Sequence, residues 1–146
     1  MFLTDEIKIT KVAPATVAGV ITIDSAPVDM AGYDGVLFLV TAGAITAGGV
    51  QSLKAQQDIA VGMGGAADLA GSGITVADDD DGQSFWLDIK RPRERFVRCR
   101  ILRATQNSVW GEVYALQYRA RNKPQVNNVV DIITGEKWEA PAEGAA

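Results

Sequence analysis

The chain has 146 residues and a formal net charge of −4, and its length suits one domain that can bury a core of its own. It contains a single cysteine, Cys99, and no histidine, which excludes an internal disulfide, a His-based catalytic triad and a His-ligated metal site. The first ten residues lack the basic start and apolar run of a signal peptide, and the apolar stretch at residues 36–40 is far too short to span a bilayer. We therefore expect a soluble protein that is not secreted and has no membrane partner.

Charge is distributed unevenly along the chain. Residues 90–123 contain ten Lys or Arg and two acidic residues, whereas residues 1–89 contain three lysines and twelve acidic residues. Residues 124–146 contain one lysine and four acidic residues. Such a chain either folds so that its oppositely charged segments neutralise each other, or it presents faces of opposite charge to its neighbours.

Short runs of apolar and β-branched residues follow one another along the chain, with Gly, Ala, Asp and Asn between them. Alternation of apolar and polar residues within these runs predicts strands, and none of the runs has the period of a helix. The predicted strands are Ile7–Val12, Val17–Asp24, Gly35–Gly43, Val50–Asp58, Ser84–Lys90, Phe96–Arg103 and Val109–Arg121. This pattern predicts an all-β fold, an antiparallel β-sandwich of jelly-roll or similar topology.

Two segments lack a clear strand pattern. The Ala/Gly-rich segment Asp58–Val76 predicts a long excursion with room for one helical turn. Near the C-terminus the pattern lapses and leaves one short apolar run, Val129–Ile133, and an isolated Trp138. We therefore divide the chain into a β-sandwich domain, residues 1–123, and an extended C-terminal arm, residues 124–146.

The run FVRCRILR has two different faces. Val97, Cys99 and Ile101 fall on one side of the predicted strand, and Arg98 and Arg100 fall on the other. The pattern predicts a sheet with one dry side and one cationic side. It also places the thiol of Cys99 on the apolar side, where we expect it to be inert.

Four consecutive aspartates, Asp78–Asp81, raise the question of a metal site. A calcium loop of the EF-hand type needs glycine at its sixth position and glutamate at its twelfth. Counted from Asp78 or from Asp79, the sixth residue is not glycine and the twelfth is not glutamate. The pair Asp81-Gly82 is typical of a tight turn, so we interpret the aspartates as a loop tip and expect no metal there.

The residues available for catalysis are few. Ser84 and Ser108 have no histidine to activate them, and the glycine-rich stretch at residues 62–73 lacks the ending of a phosphate-binding loop. We therefore expect no catalytic residue, no cofactor and no enzymatic activity.

A cluster of arginines follows the fifth predicted strand. It has three interpretations: phosphate contacts to nucleic acid, the solvated face of a strand and a turn, or docking onto an acidic protein surface. The whole chain is acidic and no recognised nucleic-acid motif accompanies the cluster, so nucleic acid is not an expected partner. The cluster consists of Arg91, Arg93, Arg95, Arg98 and Arg100.

Three segments, Val28–Thr46, Asp68–Ile101 and Val113–Pro124, together resemble small structural proteins encoded in the head-gene clusters of tailed bacteriophages. The resemblance lies in the strand entry DMAGYDGVL, the run RPRERFVR and the ending ALQYRARNKP. It implies a virion protein, most plausibly a capsid decoration (cement) protein that binds the major capsid protein on the outer capsid surface and is synthesised in the host cytoplasm. The alternative is a head–tail connector or tail-tube component, and a nucleic-acid-binding module is a third class.

The partner interface is expected to use the arginine cluster, aromatic residues of the last strand, and the arm. Aromatic side chains are favoured at interfaces, although each of these could equally complete the core. If the apolar run Val129–Ile133 of the arm were exposed to water, it would be an unpaired strand edge prone to aggregation. We therefore expect it to lie on a neighbouring subunit in a homotrimer. The alternative is an arm that folds back on its own domain. Besides the arginines, the candidate residues are Trp110, Tyr114, Tyr118, Val129, Val130, Ile132, Ile133 and Trp138.

Overall fold

The computed structural model describes residues 1–140 and 142–144. Apart from one short helix, the regular structure in these residues is made of β-strands paired antiparallel. The all-β prediction is therefore confirmed. The elements are α1 Leu3–Glu6, β1 Lys8–Ala13, β2 Thr16–Gly19, β3 Ile23–Asp24, β4 Val28–Asp29, β5 Gly35–Ile45, β6 Val50–Asp58, β7 Ala67–Asp68, β8 Ile74–Val76, β9 Ser84–Lys90, β10 Phe96–Ala104, β11 Ser108–Trp110 and β12 Val113–Tyr118.

The strands form two sheets. In the first sheet, β1 and β2 follow each other along one edge, β12 and β11 come next, then β5, and β9 forms the opposite edge. In the second sheet, β3 and β4 share one edge, followed by β10 and β6, with β7 and β8 at the other edge. Counting each consecutive pair as one interrupted strand gives two four-stranded sheets. Their order is that of a jelly roll, so the β-sandwich prediction is confirmed together with its topology.

The core lies between the sheets and comes from the alternating residues that point inward. Phe38 of β5 and Ile101 of β10 are almost fully buried, as the alternation in these strands predicts. Cys99 is also buried, and burial raises the pKa of its thiol to about 12, which agrees with the prediction of an unreactive cysteine. No helix among the described residues has the length and apolar character needed to cross a membrane.

The prediction of one strand over Val17–Asp24 is wrong. The chain leaves the first sheet after β2 and enters the second sheet at β3, so Val17 and Ile21 are exposed at a corner. The side chain of Arg103 binds the backbone of this corner. Its Nε donates to the carbonyl of Ile21 at 2.7 Å and its Nη1 donates to the carbonyl of Val17 at 3.0 Å. A contact between distant parts of the chain therefore sets this break in the strand.

The predicted strand Val109–Arg121 is interrupted as well. β11 and β12 are separated by Gly111 and Glu112, and the amide of Gly111 donates to the carbonyl of Thr41 at 2.9 Å. The strand ends at Tyr118, after which Arg119 has a positive φ of 53°. The glycine-rich excursion contains the short strands β7 and β8, and its described residues contain no helical turn.

Candidate interaction surfaces

The four aspartates lie in the loop before β9, at one end of the sandwich. Asp81 accepts a hydrogen bond from the amide of Ile45 at 2.6 Å, and Asp78 accepts one from the amide of Gly48 at 2.6 Å. These bonds tie the loop to the neighbouring β5–β6 connection, so the prediction of a loop tip is confirmed. No group of three or more His, Cys, Asp or Glu side chains within the described residues is arranged to hold a metal ion.

The outer face of the second sheet contains Arg98 and Arg100, and both lie beside the carboxylate of Asp24. Arg100 Nε lies 3.1 Å from a carboxylate oxygen of Asp24, and Arg98 lies 3.7 Å from the other oxygen. On the next strands, Lys54 pairs with Asp68 at 2.7 Å. The predicted cationic side therefore carries less free charge than the sequence predicts, because Asp24 lies beside both arginines and Asp68 lies beside Lys54.

A second group of arginines lies where β9 passes into β10, at the end of the sandwich opposite the aspartates. Arg95 holds Asp29 with two hydrogen bonds of 2.9 and 2.7 Å, which lower the pKa of Asp29. By contrast, Arg91, Arg93 and Arg121 are exposed and make no ion pair with any described residue. We call these three residues the basic end.

The predicted aromatic residues take different positions. Trp110 is fully buried, packs against Phe85 with ring centroids 5.9 Å apart, and donates from its indole to the hydroxyl of Ser108 at 3.0 Å. The assignment of Trp110 to a partner interface is therefore wrong: it belongs to the core. Tyr118 is half-buried and donates to Asp88 at 2.7 Å; burial, with a smaller effect of that carboxylate, raises the pKa of the phenol to about 12.

The outer face of the first sheet contains a row of apolar side chains, most of which were not among the predicted interface residues. Tyr114 of β12 lies opposite Leu39 of β5, which in turn lies opposite Trp86 of β9. Trp86 is 61% exposed and Leu39 is 39% exposed. The alternation in SFWLDIK could have indicated this position for Trp86, because Phe85 and Leu87 on either side of it point into the core.

The first residues of the arm lie on their own domain. The side chain of Asn127 accepts a hydrogen bond from the amide of Ile9 at 2.7 Å and donates to the carbonyls of Thr4 and Ile7 at 2.8 and 3.0 Å. Farther along, Lys137 pairs with Asp5. The arm is therefore anchored at the outer edge of β1 by one amide side chain and by ion pairing.

The apolar run of the arm forms a small hairpin that leaves most of its side chains in solvent. The amide of Val129 donates to the carbonyl of Ile133 at 2.8 Å. Val130 is 84% exposed, Ile132 is 52% exposed and Trp138 is 69% exposed. A cavity of about 620 Å³ lies between this segment and β1, with Ile133 and Trp138 in its wall. The arm folds back on its own domain without burying its apolar residues.

No family model matches the sequence, and no curated protein matches it. The chain is similar to a chain in the solved structure of infectious bursal disease virus, strain Gx, with a TM-score of 0.45 and 11% sequence identity. The likeness covers 81% of this chain and 34% of that chain, so this chain spans about a third of the other's length. The likeness lies in the arrangement of the strands and assigns no function.

Proposed function

We propose that this chain is a non-enzymatic structural protein of a virion, a capsid decoration protein that binds the outer capsid surface and stabilises contacts between capsomers. The proposal is supported by the resemblance of three sequence segments to small head proteins of tailed bacteriophages. The jelly roll is compatible with this role, because viral capsid proteins use the topology; lectins and cupins use it too, so the fold alone selects no function.

The observation that carries the proposal is the contrast between the two groups of arginines. Arg98 and Arg100 are used within the chain, whereas Arg93 and Arg121 of the basic end remain exposed without a carboxylate partner among the described residues. An acidic protein with one basic end suits docking onto an acidic patch of the major capsid protein. Each contact can be weak, because a shell offers many equivalent sites and a self-associating protein binds several of them together.

Self-association is the second part of the proposal. Exposed apolar patches on soluble proteins mark surfaces that contact other molecules. Here the first sheet exposes Leu39 and Trp86, and the arm exposes Val130, Ile132 and Trp138. We propose a homotrimer in which these residues are covered, and which presents three basic ends to the shell.

The test is binding of the purified protein to capsids that lack it, followed by electron cryomicroscopy and a measurement of shell melting. We expect regular copies over the shell and a higher melting temperature. The double variant Arg93→Glu with Arg121→Glu should lose shell binding, while Lys8→Glu with Lys11→Glu, which changes the net charge equally, should bind as the parent does. Copies confined to one vertex would instead support the head–tail connector, and no binding would overturn the proposal.

A further inference from the structure

β9 is an edge strand whose outer backbone groups have no partner. The amide of Arg91 donates to the carbonyl of Asp34 at 2.7 Å, and the carbonyl of Gln83 accepts from the amide of Ala42 at 2.9 Å. Because bonded and non-bonded pairs alternate in an antiparallel ladder, this register turns every second peptide group of β9 away from β5. The outward groups belong to Ser84, Trp86, Asp88 and Lys90, and their backbone atoms have no hydrogen-bond partner outside the strand among the described residues.

A groove runs along this free edge. It has a volume of about 410 Å³ and lies between β9 and the loop Gly71–Ile74 that precedes β8. The loop that forms the wall opposite β9 leaves free space beside it, because a Cβ added at Gly71 or Gly73 would meet no atom within 4 Å. Phe85 and Leu87 lie along the groove on the core side, and Trp86 stands at its outer rim. The groove therefore has the backbone donors and acceptors, the apolar wall and the space that an added strand requires.

We propose that β9 accepts the arm of a second copy of this chain as an added strand formed by Val129–Ile133. The inference deepens the self-association put forward above by naming the acceptor. The segment suits the role because Val and Ile favour strands and because Val130 and Ile132 are largely exposed in its own copy. Opening the small hairpin and releasing Lys137 from Asp5 loses a few hydrogen bonds and one ion pair, and β9 supplies a ladder in their place.

The acceptor must belong to another copy because of where the arm is anchored. Asn127 ties the arm to β1, and β1 and β9 are the two opposite edges of the first sheet. Two strands, β12 and β5, lie between these edges, so three strand spacings separate them by about 14 Å. Donor and acceptor are therefore different surfaces, so copies join head to tail, and such contacts form a ring when the rotation from copy to copy closes. A ring of three is the predicted trimer.

Charge selects the direction of the added strand. The arm continues into Glu136 and Glu139, while β9 ends at Lys90 and is followed by Arg91, and neither cation has an ion-pair partner among the described residues. An arm running parallel to β9 brings the two glutamates to these cations. The opposite direction would bring them towards Asp78–Asp81, where like charges repel.

The experiment uses full-length protein without capsids and measures molar mass by light scattering. Asp88→Pro removes an outward amide of β9 and spares the bonds to β5, so it should block the acceptor. Val130→Asp with Ile132→Asp should disable the donor. We expect each variant alone to have about a third of the parent's mass. Mixed together they should form a 1:1 dimer, because one intact donor and one intact acceptor remain.

The matched control is Lys11→Pro, which removes an outward amide from the opposite edge of the same sheet and should keep the parent's mass. Hydrogen exchange on the parent provides a second readout should Asp88→Pro fail to fold. The amides of Trp86 and Asp88 should exchange at least about tenfold more slowly in the assembled protein than after dilution.

A monomeric parent, an acceptor variant with the parent's mass, or equal exchange of these amides at both concentrations would each overturn the inference. This experiment contains no shells, so a negative result would not bear on the docking of Arg93 and Arg121 to the capsid. The shell-binding experiment tests that docking separately.

Discussion

The outer faces of the two sheets differ in how their side chains are used. On the second sheet, Arg98 and Arg100 share the carboxylate of Asp24 and Lys54 pairs with Asp68, so the charges of this face are paired within its own chain. On the first sheet, Leu39 and Trp86 lie exposed in one row, and the free edge of β9 borders them. The charged side chains of the second face have partners within the monomer, whereas the first face is the one that we propose to be covered by another copy.

The largest expected effect is at the polar contact that joins the two sheets. Arg103 belongs to β10 of the second sheet, is 6% exposed, and donates to carbonyls of Val17 in β2 and Ser108 in β11 of the first sheet. Arg103→Ala removes the donor from both carbonyls, and the carbonyl of Ser108 is buried. We expect a loss of about 3 kcal/mol in the free energy of unfolding and about 10 °C in melting temperature.

Urea unfolding followed by circular dichroism measures this loss. Arg103→Lys is the control, and it should recover only part of the stability, because one ammonium group cannot reach several carbonyls in the plane of a guanidinium. A loss below about 1 kcal/mol for Arg103→Ala would mean that this contact does not hold the two sheets together.

The second prediction concerns acid. Asp29, Asp58 and Asp68 all lie on strands of the second sheet, and each has a lowered pKa. The main causes are the hydrogen bonds from Arg95 to Asp29, from backbone amides to Asp58, and from Lys54 to Asp68. Since the folded pKa lies below the unfolded value of about 3.9, these groups stabilise the fold above that pH, and the contribution disappears as the pH falls through the folded pKa.

We therefore expect the urea midpoint to fall steeply as the pH is lowered from about 5 to about 2. Asp58→Asn should make that decline shallower, because one group no longer titrates. Asp79→Asn is the control, since Asp79 accepts no hydrogen bond from a described residue, and it should leave the profile as it is. Equal slopes for all three proteins would contradict the prediction.

A third prediction compares the two faces directly. Asp24→Ala deprives Arg98 and Arg100 of their carboxylate and should lower the free energy of unfolding by about 1 kcal/mol, less so at high salt. Trp86→Ser removes a larger side chain that is 61% exposed, and it should change monomer stability by less than about 0.5 kcal/mol. Its effect should instead appear in the molar mass of the assembled protein. A destabilised Trp86→Ser monomer would mean that this face is part of the core.

The smallest effect is expected at the aspartate loop. In Asp78→Asn with Asp80→Asn, the amide oxygens can still accept the hydrogen bonds from Gly48 and Ala77. The melting temperature should therefore change by no more than about 2 °C, with or without a chelator. A large shift on adding calcium would show that these aspartates bind a cation.

The sequence predicts an element of the fold where local alternation of apolar and polar residues sets its limits. It fails where a contact with a distant residue sets them. β6 and β9 have the predicted limits, because each is a simple run between turns. The corner after β2 was missed because Val20, Ile21 and Thr22 are good strand residues, and the contact that bends the chain there comes from Arg103. No local signal marks that contact.

Trp110 was misplaced for a related reason. Strict alternation puts Trp110 and Tyr114 on the same face, and the sequence therefore predicts the same environment for both. Trp110 lies opposite Ala42 of β5 and Tyr114 lies opposite Leu39, so the segment with Gly111 and Glu112 has one residue more than β5, which turns Trp110 inward and leaves Tyr114 outward. A bulge of this kind reverses every assignment beyond it. Gly111 was the sequence signal for this bulge, because a glycine inside a strand pattern often marks one.

The pairing of β1 with β12 also determines when the domain can fold. Lys8 lies opposite Gln117, so β1 pairs with a strand that is made more than a hundred residues later. Such distant pairings make folding slow, typically on the scale of about milliseconds to seconds. A nascent chain on the ribosome cannot close the first sheet until Tyr118 has emerged, and until then the strands made earlier remain exposed to other chains and to chaperones.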